Sequence, residues 1–93
     1  MDGLTSFRDE LNQLDERIVE LIAQRIAICR AVAQYKKQNA IPMMQSARVE
    51  QVKDRCADLA ADRAVDPAFM RKLYSVIIDE TCRVEDEIIQ DSP

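Results

Sequence analysis

Histidine is absent from this 93-residue chain. That removes histidine-based triads, histidine general bases and most zinc sites. Glycine occurs once, at Gly3, so no glycine-rich phosphate loop can form. No apolar run reaches the roughly 20 residues of a membrane span; the best stretch is broken by Glu20 and Arg25. A basic excess is lacking too. Seventeen acids outnumber thirteen bases and leave a formal charge of −4, which argues against a nucleic-acid or membrane-surface binder. Cysteine is scarce and odd in number: Cys29, Cys56 and Cys82 lie far apart with no CxxC pair. Small thiols in a reducing compartment are expected, not a disulfide framework. The opening MDGLTSFRDE is acidic and polar, unlike a signal peptide. The expectation is one cytoplasmic domain over residues 1–93.

What is present is 47% hydrophobic residues, enough to fold, in a pattern of period three and four. From about Thr5 to Asn39 the apolar positions are Leu4, Phe7, Leu11, Leu14, Ile18 and Leu21, then Ile28, Val32 and Tyr35. This is a helix that packs along a seam. Thr5 or Ser6 can cap its start, Asp9 and Glu10 suit its first turn, and Asn39 with Pro42 marks its end. At 1.5 Å per residue such a helix is about 50 Å long, whereas a compact chain of this size has a radius of gyration of only about 12 Å. The seam therefore needs a second chain to cover it, and an intertwined helical homodimer is predicted. A second helix is predicted from Ser46 as N-cap to about Arg63, with Val49, Val52, Cys56 and Leu59 on one face. A third opens at Asp66-Pro67, a cap followed by proline at the first helical position, and carries Phe69, Met70, Leu73, Ile77, Val84 and Ile88. The class is all-α: one long helix, one short, one medium.

One seam position is wrong for packing. Continuing the alternation past Leu21 leads to Arg25. A cation there is costly unless it is paired or faces a ligand. Lys36 lies eleven residues on, about 20° around the helix and about 16 Å along it, so both side chains can converge on one anion. The plainer reading is charges that snorkel to solvent or pair across a dimer. Arg48 sits on the edge of the second helix's apolar face, where a surface arginine is equally natural. Thr81 and Glu85 continue the row of Leu73 and Ile77, out of place unless the row is a helix edge with a back-bonded threonine and an exposed acid. Arg8 is about 25 Å from Arg25 along the helix. It is either a surface arginine or a visitor to the equivalent pocket of a partner chain. Together these residues suit a small dianion. No nucleophile, metal cluster or ordinary general base accompanies them, so the chemistry is binding, or a reaction that needs only positioning and electrostatics.

These residues resemble a family. Arg8, the run Leu14-Asp15-Glu16-Arg17, Arg25, Tyr35-Lys36-Lys37, Arg48 and the segment DPAFMRKLYSVIIDET (66–81) are similar to the all-helical class of chorismate mutase, over roughly residues 4–89. The resemblance implies an intertwined dimer of three-helix chains and a pericyclic shift of chorismate to prephenate, with no cofactor and no metal. It implies a role for each candidate. Arg8 crosses to a substrate carboxylate in the partner's site, and Arg25 grips a carboxylate from its own chain. Lys36 meets the ether oxygen, where negative charge develops as the C–O bond breaks. Arg48 stands at the start of the second helix, and Thr81 takes the place of a small hydroxyl residue that serves a carboxylate.

Three positions depart from the ordinary pattern. Val49 stands where a glutamate accepts from the ring 4-hydroxyl, and Gln45 where an aspartate often helps. Glu85 stands where many members have glutamine beside the ether oxygen; a carboxylate there helps only when protonated and donating. The runs IPMMQ (41–45), RVEQV (48–52) and ETCRVEDE (80–87) are similar to the 4-amino-4-deoxychorismate mutases, which make precursors of 4-aminophenylalanine for antibiotics. The expected function is therefore a rearrangement of 4-amino-4-deoxychorismate. The alternatives are chorismate itself, then isochorismate-pyruvate lyase, whose mobile loop is shorter, then a non-enzymatic dimerisation module whose seam charges set register. A helix-turn-helix regulator is disfavoured by the scatter of the basic residues.

Overall fold

Between Leu4 and Gln38 there is neither proline nor glycine, and the backbone runs as one unbroken helix of 35 residues, α1. The structure, a computed structural model, describes residues 3–42 and 45–90. Met1 and Asp2 of the polar opening, and Met43 and Met44 of the IPMMQ run, lie outside the described residues. Two further helices follow, α2 (Ser46–Ala61) and α3 (Pro67–Gln90), with no strand among the described residues.

The helix ends correct the sequence reading in detail. Gly3, not Thr5 or Ser6, is the N-cap of α1, and it makes no side-chain cap bond. Starting at Leu4 keeps that residue in the helical row with Phe7 and Leu11, and leaves Asp9 and Glu10 beyond the first turn. The far end falls where Asn39 predicted it. The Asn39 side-chain Nδ2 donates to the Tyr35 carbonyl at 2.8 Å, and Ala40 then turns left-handed at φ 54°. In α2 the cap is Gln45 and Ser46 is already helical; the Gln45 carbonyl accepts from the Arg48 and Val49 amides at 2.9 and 3.2 Å. The helix stops at Ala61, short of Arg63, because Ala64 is left-handed at φ 59° and the Val65 amide closes onto the Ala60 carbonyl at 2.9 Å. The start of α3 is as predicted: Asp66 Oδ1 accepts from the Ala68 amide at 3.0 Å, and Pro67 is the first helical residue.

α3 packs against both other helices, while among the described residues α1 and α2 do not pack on each other. Arg71 of α3 also pairs with Asp54 of α2. The partners across α1 and α3 run in step: Lys36 meets Glu85 and Arg25 meets Tyr74, both 49 residues apart. The two helices are therefore parallel. The fold is elongated, 59 × 28 × 14 Å with a radius of gyration of 16.9 Å, against about 12 Å for a compact chain of this length. Its core is small: Ala33, Cys56, Ala57, Ala60, Ile78 and Val84 are buried. The N-terminal half of α1 is not covered. Leu4, Phe7, Leu11, Leu14, Ile18 and Leu21 are 47–63% exposed.

Candidate active site

The space between α1 and α2, floored by α3, is a cavity of about 390 Å³. Four α1 residues spaced four, three and four apart wall one side: Arg25, Cys29, Val32 and Lys36. The second wall comes from the start of α2, through Gln45, Arg48, Val49 and Val52. The α3 floor is Ile78, Thr81, Cys82 and Glu85. Seven residues singled out from sequence thus share one space: Arg25, Lys36, Gln45, Arg48, Val49, Thr81 and Glu85. Arg8 does not join them; it is exposed, seventeen residues along α1 from Arg25, about 25 Å at helical rise.

The electrostatics oppose those of the whole chain. A protein of formal charge −4 has concentrated three cations, Arg25, Lys36 and Arg48, around one carboxylate, Glu85. The excess of positive charge suits an anion of charge −2 held in a partly desolvated site. Lys36 Nζ lies 3.4 Å from Glu85 Oε1, and the two side chains are only 18% and 11% exposed. Lys37, next in sequence, instead donates to the Ile88 carbonyl at 3.2 Å and ties the end of α1 to the end of α3. Arg25 is half-buried. Its guanidinium donates to Cys29 Sγ at 3.9 Å and lies over the Tyr74 ring, 5.7 Å from its centroid.

Thr81 and Glu85 are buried, at 4% and 8% exposure, so they are not a solvated helix edge. The row they complete runs through Tyr74 and Ile78, not through Leu73, which is 39% exposed. The Thr81 hydroxyl donates to the Ile78 carbonyl at 2.9 Å. To donate to a carboxylate in the cavity it must turn from that bond. Burial, then the nearby charges of Glu85 and Asp79, push the Cys82 thiol above its ordinary value and keep it protonated at neutral pH. Among the described residues no group of three or more cysteines and acids could hold a metal ion.

Five cavity contributors carry no site signal of their own in the sequence: Cys29 and Cys82 read only as small thiols, Val32 and Val52 as apolar packing, and Ile78 is not among the apolar residues predicted for α3, where Ile77 is. The spacing that found Arg25 and Lys36 also contains Cys29 and Val32, so the signal was there for α1. Tyr74 touches the site through Arg25; it lies within the 66–81 segment, but no spacing singles it out.

This constellation, cations and one carboxylate between three helices, coincides with a family match. The model for chorismate mutase type II fits residues 7–86, and the chain belongs to that family of isomerases. It is similar to a 4-amino-4-deoxychorismate mutase of Streptomyces pristinaespiralis, 43% identical over 88 residues that cover 95% of this chain and 68% of that one. A 4-amino-4-deoxychorismate mutase of Streptomyces venezuelae is 44% identical over 86 residues, 92% of this chain and 84% of the relative. A chorismate mutase of Methanocaldococcus jannaschii is 24% identical over 92 residues, 99% of this chain and 93% of the relative. No described helix is long and apolar enough to cross a membrane.

Proposed function

We propose that the chain, acting as one catalytic domain in a cytoplasmic homodimer, rearranges 4-amino-4-deoxychorismate to 4-amino-4-deoxyprephenate by a cofactor-free [3,3] shift. The observation that carries the reading is the cavity in which Arg25, Lys36 and Arg48 face Val49 and Gln45. The three cations suit a substrate with two carboxylates. Arg25 and Arg48 hold those carboxylates, whose charge is the same in substrate and transition state, so they act mainly by orienting a flexible arm over the ring. Thr81 supports one of them. Lys36 acts on the ether oxygen, where charge appears only as the bond breaks, and so contributes to the rate itself. Glu85 serves the same oxygen when it is protonated and donates.

The second wall supports the amino substrate over the hydroxylated one. Val49 offers no acceptor, and Gln45 is a neutral amide. The two relatives at 43% and 44% identity bear the name of that activity. The exposed apolar row of α1 supports the dimer, with Arg8 completing the partner's cavity.

The test is parallel incubation with 4-amino-4-deoxychorismate, chorismate and isochorismate, products being read by mass and absorbance. The amino substrate is expected to turn over fastest. Faster turnover of chorismate would move the assignment to the ordinary mutase, and pyruvate release from isochorismate would move it to the lyase. Arg25→Ala separates enzyme from scaffold. An enzyme loses turnover by orders of magnitude while its helices persist; a scaffold relieved of a half-buried charge is unchanged or steadier.

A further inference from the structure

The floor of the cavity extends one turn beyond the residues that line it. On α3, Tyr74, Ile78, Thr81 and Glu85 are spaced four, three and four apart, the same spacing as Arg25, Cys29, Val32 and Lys36 on α1. Because α1 and α3 are parallel, the two rows match end to end. Lys36 and Glu85 close one end of a stripe about 16 Å long, and Arg25 and Tyr74 close the other. The first pair is ionic. The second is a guanidinium over a ring at 5.7 Å, within cation–π range.

We propose that Tyr74 is the positioning residue of Arg25, its ring holding the guanidinium in the cavity wall before a substrate carboxylate arrives. The proposal rests on the carboxylate-binding role of Arg25 given above. Three observations support it. Among the described residues no carboxylate pairs with Arg25, so no ion pair fixes it or consumes its charge. Its other polar neighbour is the Cys29 sulfur at 3.9 Å, a weak acceptor. The ring is also held by burial: Tyr74 is half-buried beside Cys56 of α2, and burial first, then the neighbouring Cys56 thiol, push its phenol above the ordinary value. It therefore stands between α1 and α2, which do not pack on each other.

An aromatic face suits this task better than an acid. It orients a cation without neutralising it, so the guanidinium keeps its edge donors for the ligand. A side chain already fixed does not lose its rotamer freedom on binding, which strengthens affinity. Since the carboxylate is charged alike in substrate and transition state, loss of the ring should appear in KM more than in kcat.

The test uses Tyr74→Leu, Tyr74→Met and Tyr74→Phe in the full chain with 4-amino-4-deoxychorismate as substrate. Leucine and methionine, which remove the π face, are expected to raise KM by roughly 2- to 30-fold with a smaller change in kcat. Phenylalanine, which keeps the face and drops the hydroxyl, is expected to restore the wild-type KM. An unchanged KM in the leucine and methionine variants would overturn the proposal, as would a phenylalanine variant as impaired as they are. A direct reading in the unmodified chain covers variants that do not fold. The Arg25 side-chain protons should be ring-current shifted, and should stay so at saturating product; a shift that vanishes on binding refutes the proposal. Retained turnover in Arg25→Ala would instead remove the role of Arg25 itself.

Discussion

The Lys36 ammonium and the Glu85 carboxyl, 49 residues apart in sequence, meet at 3.4 Å in the cavity with little of either side chain exposed. In the proposed reaction they face one oxygen with opposite effects. The cation stabilises charge developing there; an ionised carboxylate opposes it, and a protonated one donates a hydrogen bond. Glu85→Gln replaces the acid with an amide that donates to the oxygen and carries no charge to oppose it, so kcat/KM is expected to be kept or raised, whereas Glu85→Leu, which has no donor, should lower it by about 100-fold. The measurement is kcat/KM of the three proteins at one pH. A leucine variant as active as the wild type would remove Glu85 from the chemistry.

Much of this site was legible because it violates a pattern. A seam of leucines and isoleucines makes Arg25 conspicuous, and the repeat that carries Arg25 also carries Lys36. Asp66-Pro67 announces α3 because both residues act locally. The features that escaped notice have no such signature. Ala40 and Ala64 take the left-handed conformation at φ 54° and 59° that glycine usually supplies, in a chain whose single glycine lies elsewhere. A left-handed alanine costs roughly 1–2 kcal/mol, and composition gives no hint of it, so the end of α2 was placed two residues late. Gln45 closes the start of α2 with its backbone carbonyl, and any residue has one. Tyr74 has no local signature of its own; its role depends on Arg25 lying over its ring.

Cys82 gives a pH-dependent observable. Its thiol lines the cavity and is held above the ordinary value by burial first, then by Glu85 and Asp79. The thiolate is the reactive species, so iodoacetamide should modify Cys82 slowly near neutrality. The rate should climb only above the range of about pH 8.5 at which a free thiol ionises. Peptide mass mapping after timed exposure gives the rate for this site. Modification at pH 7 as fast as that of a free thiol would contradict the buried, acid-flanked environment.

Arg8 supplies the sharpest test of whether two chains share one site. Within its own subunit it cannot reach Arg25, about 25 Å away along a straight helix, and seven large apolar residues from Leu4 to Leu21, Val19 among them, are exposed, a face that supports the proposed second copy. If Arg8 of each chain completes the other's cavity, Arg8→Ala and Arg25→Ala should each disable both sites of a homodimer. Mixing the two variants under conditions that exchange subunits changes the arithmetic. Half the dimers become mixed, and in each of those one site has lost both arginines while the other retains both. About a quarter of wild-type activity should therefore return, a consequence of two-fold symmetry alone. A rise in turnover on mixing two impaired samples has no counterpart if each chain builds its site alone. No recovery despite proven exchange, or a wild-type chain that sediments as a helical monomer at micromolar concentration, would rule out the shared site.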